Sequence, residues 1–288
     1  MTPDGREWPR ITVVTPSYQQ GRFLEETIRS VLLQGYPDLE YIVLDGGSSD
    51  ESVEILRRYE QWLAYSTSER DGGQVQAINA GLTRASGHWR SWLNSDDVYL
   101  PGALIRVGSA SGASWIVGNT VYINEDSRRI GRFPLSYRSA SVVGADGPAW
   151  IDALCARASV TALPQQSTFW TEAAQAEVGM LDESLEYAFE HDYWVRLLYL
   201  GFSPTVVSDE LTLYRVHKDQ KTQARTRAAS YREEARITET WLSRCPPEHL
   251  TAVTAYRRAT IRLARKADAH YLAGLIARPL RRLRRPRR

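Results

Sequence analysis

The sequence predicts an α/β fold: a mostly parallel central sheet flanked by helices, with a helical appendage at the C-terminal end. Two observations carry that expectation. Short β-branched runs alternate with amphipathic helical patterns through the first hundred residues, and each run ends in polar, turn-forming residues. A third is bulk, since 288 residues at 43% hydrophobic and 24% charged suffice for one large domain or for a domain plus an appendage.

Ile11-Thr12-Val13-Val14 reads as a buried strand, after which Leu24, Ile28, Val31 and Leu32 fall on one helical face that Gly35 can terminate. Tyr41-Ile42-Val43-Leu44 is the second strand. Asp50 stands at a helix N-cap position ahead of Val53, Leu56, Tyr59 and Leu63, and a third helix carries Val75, Ile78 and Leu82. Trp89 to Leu93 is the next strand, and the alternation implies right-handed crossovers. From about residue 100 to 165 the pattern loosens, with Trp115 to Val117 and Val121 to Ile123 as two strand-like stretches of the sheet's second half. Residues 171 to 200 read as helical, and the stretch from about 228 to 275, rich in Ala, Arg and Glu, reads as the appendage.

Composition narrows the classes. The chain has no run of about 18 apolar residues, and MTPDGREWPR lacks the basic start and apolar core of a signal peptide, so a cytoplasmic location is expected. Cys155 and Cys245 lie far apart without metal-ligand spacing, which implies neither a disulfide framework nor a zinc cluster; both read as small packed residues. The last eleven residues, RPLRRLRRPRR, hold seven arginines and no acid, while the whole chain carries only +2. That block would attach peripherally to an anionic membrane surface; the alternative is a solvated, disordered end. No nucleic-acid partner is expected.

Three strand ends are chemically dense: Thr15-Pro16-Ser17-Tyr18, Asp45-Gly46-Gly47-Ser48 and Asn94-Ser95-Asp96-Asp97. Ligands of open α/β sheets bind outside the carboxyl ends of the strands, so the three loops converge on one candidate site. Adjacent carboxylates in such a loop suit Mg²⁺ or Mn²⁺, which takes one or two protein carboxylates when it bridges a pyrophosphate. An isolated Asp-Asp is otherwise a surface turn or a helix cap.

Together these motifs resemble family 2 glycosyltransferases of the GT-A fold. Thr15-Pro16-Ser17-Tyr18-Gln19-Gln20 resembles that family's opening loop, Asp45-Gly46-Gly47-Ser48-Ser49-Asp50 its Asp-Gly-Ser-x-Asp loop, and Asn94-Ser95-Asp96-Asp97 its Asp-x-Asp element. Ser68-Glu69-Arg70-Asp71-Gly72-Gly73-Gln74 with Asn79 and Gly81, Glu190-His191-Asp192-Tyr193-Trp194-Val195-Arg196, and Tyr214-Arg215-Val216-His217 extend the likeness over residues 10 to about 220. It implies a GT-A domain over 1–225, with a nucleotide-sugar half (10–100) and an acceptor half (101–225), followed by a helical extension (226–277) and the basic tail (278–288). The implied reaction moves a sugar, with inversion, from a nucleotide diphosphate sugar, UDP first, to a hydroxyl of a saccharide or glycolipid acceptor, assisted by Mn²⁺ or Mg²⁺.

The resemblance assigns roles. Pro16, Tyr18 and Asp45 would hold nucleobase and ribose, Tyr18 by stacking and Asp45 by accepting a base N–H. Thr15, Asn79 and Asn94 belong to the same donor side, and Arg70 and Asp71 would approach the diphosphate and donor sugar. Asp96 would address ribose or sugar hydroxyls and Asp97 the metal, with His217 as a further ligand. Many relatives carry two acids where this chain has Asp45-Gly46, and Asn94 replaces the first acid of the longer acidic element.

An inverting transfer needs a carboxylate opposite the leaving group to take the acceptor's proton. The resemblance puts the family's base six residues before Arg196, on Glu190, and matches Asp192 to a second acid often found there. On a helix the two diverge by about 200°, so one of them at most faces the donor. Asp192 stands four residues before Arg196, the spacing of a helical salt bridge, and Glu190 is the preferred base. Gln165, Gln166, Phe169 and Trp170 resemble the acceptor-side segment. A metal-dependent nucleotidyltransferase would want a basic glycine-rich loop, but residues 15 to 21 hold no Lys or Arg, and the Gly-x-Gly-x-x-Gly of a dinucleotide oxidoreductase is missing. A catalytically inactive sugar-nucleotide-binding relative is the remaining alternative, against which stand Asp96, Asp97, Glu190 and Arg196.

Overall fold

The structure is a computed structural model that describes residues 1–132, 163–221, 226–245, 247 and 250–283. Cys155, the 133–162 part of the loosely patterned middle and the last five residues of the basic tail lie outside the described residues.

The first half is a run of β–α units: β1 (Ile11–Ser17), α1 (Gly21–Leu32), β2 (Leu39–Asp45), α2 (Ser52–Tyr59), β3 (Tyr65–Ser68), α3 (Gln74–Arg84) and β4 (Trp89–Trp92). Their strands are parallel, in the order β3-β2-β1-β4. β1 is buried along its whole length because β2 and β4 flank it and helices cover both faces, which is why it reads as a continuous apolar run. Register aligns the ends of three strands: Ser17 lies opposite Asp45, and Asp45 opposite Ser68. Three loops therefore leave the sheet side by side. β3 escapes the sequence reading because Tyr-Ser-Thr-Ser, half-buried on the sheet edge, has no apolar alternation.

The second half comprises β5 (Val98–Tyr99), α4 (Ala103–Gly108), β6 (Trp115–Ile123), β7 (Arg129–Arg132), β8 (Thr168–Thr171), α5 (Glu172–Val178), α6 (Phe189–Tyr199), β9 (Thr205–Arg215), α7 (Arg227–Leu242) and α8 (Leu250–Leu283). They extend the sheet as β4-β8-β6-β9-β5, with β7 beside β6. β8 inserts antiparallel between β4 and β6, whereas the long β6–β9 ladder is parallel.

Three local expectations are corrected. The two stretches expected at 115–117 and 121–123 form one strand, continuous through Gly118, where a Cβ would collide with Leu211. The helical region 171–200 is two helices, separated after Gly179, which adopts φ +79°. Asp50 lies one residue before the N-cap of α2; its carboxylate accepts from Ser52 N (3.1 Å) and also from Gly21 N (2.8 Å), so it satisfies the start of α1 as well.

The core lies on both faces of the sheet. On one side α1, α2 and α4 pack Leu24, Ile28, Ile55 and Leu104 against β1 and β2. On the other, α3 and α6 cover Trp92, Trp115, Trp170 and Trp194, each at most 1% exposed and with ring centroids 5.4 to 5.9 Å apart. Among the described residues, no helix is long and apolar enough to cross a membrane.

Candidate active site

The site begins where β1, β2 and β4 end. Asp45, 1% exposed, accepts from Ser48 N (2.8 Å), Ser48 Oγ (2.6 Å) and Ser68 Oγ (2.7 Å), so its carboxylate shapes its own loop and ties it to β3. Gly47 makes the turn possible, with φ +79° and the Arg70 backbone packed against it. Gln19 and Ser48 join the first two loops through a 2.7 Å bond from Gln19 N to Ser48 Oγ. Tyr18, beside them, is 62% exposed, an aromatic face open to a ligand.

The acidic loop after β4 is held from far away in the chain. Arg215, the last residue of β9 and 1% exposed, donates its backbone N–H to Asp97 Oδ1 (2.9 Å) and its Nε to Asp96 O (2.9 Å). The rest of its guanidinium reaches Asn124 O, Ser127 Oγ and Glu26 Oε2, and it lies over the Phe23 ring at 4.7 Å. Thr27 Oγ1 donates to Asp97 O, fastening the loop to α1. Asp97 is 1% exposed, and its Oδ2 lies beside Gln166 without a hydrogen bond of ordinary geometry. Burial and the neighbouring Asp96 charge push the Asp97 carboxyl well above the usual carboxylate range, against the pull of Arg215.

His217 meets Asp96: its Nε2 is 2.9 Å from Asp96 Oδ2, and its ring packs on Phe23 at 4.8 Å. Asp96, unlike Asp97, keeps a partly exposed carboxylate. The sequence reading joined His217 to Asp97; the structure places the imidazole on Asp96 instead, because Asp97 is drawn inward by β9. Among the described residues no cluster of three or more His, Cys, Asp and Glu forms a metal cage.

Glu190 sits in the first turn of α6, half-buried, and burial raises its carboxyl to about 7; Glu233 adds to that rise and Lys221 opposes it. Asp192 turns away, as its helical offset requires. It receives Arg196 Nε at 2.8 Å, and Arg196 also donates to Val178 O and Met180 O, closing the turn before α6. The charges of Asp97, Asp96 and Glu190 all act on the Tyr214 hydroxyl and, with burial, push its ionisation up. A polar chain leads from the acidic loop to Lys221: Gln74 donates to Asn94 Oδ1 (2.8 Å), and Lys221 Nζ donates to Gln74 Oε1 (3.1 Å) while lying over Tyr187 and Phe189.

Several expected ligand contacts are occupied by the protein itself. Thr15 is buried and its hydroxyl pairs with Tyr41 OH at 3.0 Å. The Asn79 carboxamide bonds Leu181 O, Glu183 Oε1 and Leu181 N, pinning the 181–183 segment to α3. Trp170 is wholly buried with its indole N–H on Gln175, a core residue and not an acceptor platform. Gln165 fixes the acidic loop by bonding Trp92 O and Asn94, and Gln166 is 6% exposed. Arg70 and Asp71 remain exposed and, with Asp45, line a cleft of about 690 Å³ beside α3. Pro16 is buried at the end of β1.

The fold is similar to that of GT-A glycosyltransferases. S. aureus TarS, in its complex with UDP-GlcNAc, superposes over 92% of this chain and 92% of its own at 12% identity, TM-score 0.60. The mannosyltransferase PcManGT from Pyrobaculum calidifontis, solved with GDP-Man and Mn²⁺, covers 94% of this chain and 79% of that one at 18% identity, TM-score 0.62. Residues 12–145 match the family described as Glycosyl transferase family 2. The uncharacterized glycosyltransferase RP339 of Rickettsia prowazekii is 37% identical over 93 residues, 32% of this chain, and the matched part spans 29% of that relative's length.

Arg215, Gln74 and Lys221 have roles the sequence reading did not assign. Arg215 and Gln74 lay inside quoted motifs; the signal for Lys221 was its place, one of three lysines in the chain, four residues after His217.

Proposed function

We propose that the protein transfers a sugar from a nucleotide diphosphate sugar to an acceptor hydroxyl by direct displacement with inversion, Glu190 serving as the general base. The observation that carries this reading is the Glu190 carboxyl, held half-buried at the start of α6 and raised to about 7 by burial, its charge and that of Asp96 both acting on the Tyr214 hydroxyl. A base poised near neutrality is half ionised and still strong enough to take the acceptor proton. In this reading the hydroxyl oxygen attacks the anomeric carbon as Glu190 removes its proton, and the nucleoside diphosphate leaves from the opposite face.

Asp96 and His217 fit a divalent cation: an oxygen and an imidazole nitrogen converge at 2.9 Å, and no third protein carboxylate or imidazole completes a cage among the described residues. That donor set suits Mn²⁺ or Mg²⁺ sharing its remaining positions with substrate oxygens and water. Bound there, the ion would neutralise charge on the departing diphosphate. Asp97 then braces the loop, a change from its expected place as the metal ligand. Tyr18 offers a stacking face for the nucleobase, and Lys221 a cation toward the diphosphate. UDP is the nucleotide assigned first, with TarS and its UDP-GlcNAc as the supporting fold neighbour; the acceptor class is a saccharide or glycolipid.

Glu190→Gln keeps shape but loses the basic lone pair, so kcat for transfer, or for slow hydrolysis of the donor by water, falls about 10² to 10⁴-fold with donor affinity nearly unchanged. The wild-type kcat should rise with pH through an acid limb near 7 as Glu190 ionises. Wild-type turnover in Glu190→Gln together with a dead Asp192→Asn would move the base to Asp192. A thermal-shift panel of UDP-GlcNAc, UDP-glucose and GDP-mannose, with and without Mn²⁺, tests the donor; His217→Ala should abolish the Mn²⁺-dependent part of the stabilisation.

A further inference from the structure

We propose that Glu233, on helix α7 of the C-terminal appendage, is a positioning residue for Glu190, so that the appendage sets the aim of the base. The proposal rests on the reading of Glu190 as that base. α6 opens without a side-chain cap of its own: Ala188 occupies the N-cap position and Glu190 follows two residues later. The turn before it is held from α7 instead. Glu233 Oε1 accepts from Glu186 N (3.0 Å), and its Oε2 accepts from Tyr187 N (2.7 Å) and Ala188 N (2.9 Å). One carboxylate thus gathers three consecutive backbone N–H groups of the turn that leads into α6, the last of them on the N-cap residue Ala188. One turn further along α7, Arg236 Nη2 donates to Ser184 O at 3.3 Å, holding the same segment a second time.

Asn79 and Arg196 hold the first part of this segment, at Met180 to Glu183, and Glu233 holds the backbone N–H groups of its last three residues. The segment runs from Gly179, at φ +79°, to Ala188, and its Glu186 is exposed. Without Glu233 the turn would lose its three bonds, and the Glu190 carboxylate would lose its fixed direction with them. A reacting group misplaced by about 1 Å loses up to about a hundredfold in rate.

Glu233 also acts through its charge. The groups facing Glu190 are Lys221 from the segment after β9, Glu233 and Glu234 from α7, and Tyr214 from β9. On its own helix stands His191, neutral because burial lowers it to about 4. Lys221 in turn faces Glu186, Glu190 and Glu233. Removing the Glu233 charge leaves Lys221 less opposed, which favours ionised Glu190 and moves the acid limb of kcat to lower pH.

The test compares Glu233→Gln, Glu233→Asp and Glu190→Gln with wild type, using hydrogen exchange over residues 184–192 and the pH profile of UDP-GlcNAc and GDP-mannose hydrolysis. Glu233→Gln should speed amide exchange at 186–188 at least about tenfold, lower kcat about ten- to a hundredfold, and shift the acid limb downward, with donor affinity unchanged. Glu233→Asp keeps the charge with a shorter reach, so its exchange should rise while its acid limb stays. Should Glu233→Gln fail to fold, Glu233→Asp still decides the positioning half. Wild-type exchange and kcat in a folded Glu233 variant would overturn the proposal. Full turnover in Glu190→Gln would instead remove the base assignment, whatever Glu233 does.

Discussion

The loop after β2 and the loop after β4 end neighbouring regions of one sheet, and both carry a buried aspartate, but they are built differently. Asp45 is satisfied by Ser48, three residues on, and by Ser68 of the adjacent strand. The Asp96–Asp97 pair is held by Arg215, more than a hundred residues later in the chain, through its backbone and its guanidinium together. The first loop is a local device that a short sequence specifies. The second exists only once β9 has docked beside β5 and β6, so its chemistry depends on the completed fold.

Cutting the long-range tie should have the largest effect. Arg215→Ala leaves Asp96 O and Asn124 O without their donor and opens a cavity against Phe23, a loss of about 2–5 kcal/mol by urea titration. The Mn²⁺-dependent stabilisation by donor should vanish with it. A loss below about 1 kcal/mol would mean that the acidic loop stands on its own.

Asp45→Ala should be milder, because only the Ser48 and Ser68 donors are orphaned: about 1–3 kcal/mol, with any Mn²⁺ response kept and donor affinity reduced. If Asp45→Ala instead matches Arg215→Ala in both measurements, the contrast between a local and a remote loop is false. Smallest in stability is Tyr18→Ala, within about 0.5 kcal/mol for an exposed side chain. Its donor affinity should nonetheless drop about tenfold, since stacking on a base is worth about 1–3 kcal/mol. Calorimetry with UDP alone measures that drop, and unchanged affinity would remove Tyr18 from the nucleotide site.

Legibility followed the same divide. β1, β2, β4 and the helices between them were plain in the sequence because their apolar periods are local and each strand is covered on both faces. β3 was not, being polar and at the edge, and β9 was not, since its half-buried residues have no clean alternation. The three loops were legible as motifs, and their convergence follows from strand register. The partners inside the site were not: nothing near Asp97 announces Arg215, and nothing near Glu190 announces Glu233. Motif position also over-reached at Asn79 and Trp170, whose polar groups turn to Leu181 and Gln175.

The packed indoles of Trp92, Trp115, Trp170 and Trp194 have an optical consequence. Trp92 and Trp194 are nearly parallel, with ring planes 10° apart and centroids 5.8 Å apart, and Trp115 lies 24° from Trp194. Chromophores that close share their excitations, so the folded chain should display a strong, signed near-ultraviolet dichroic band that collapses when the rings separate. Trp92 ends the strand that leads into Asn94, and Trp194 rides on the helix of Glu190. A small rotation of either element alters the coupling, which gives the molecule a built-in, label-free gauge of how the two sides of its site move against each other.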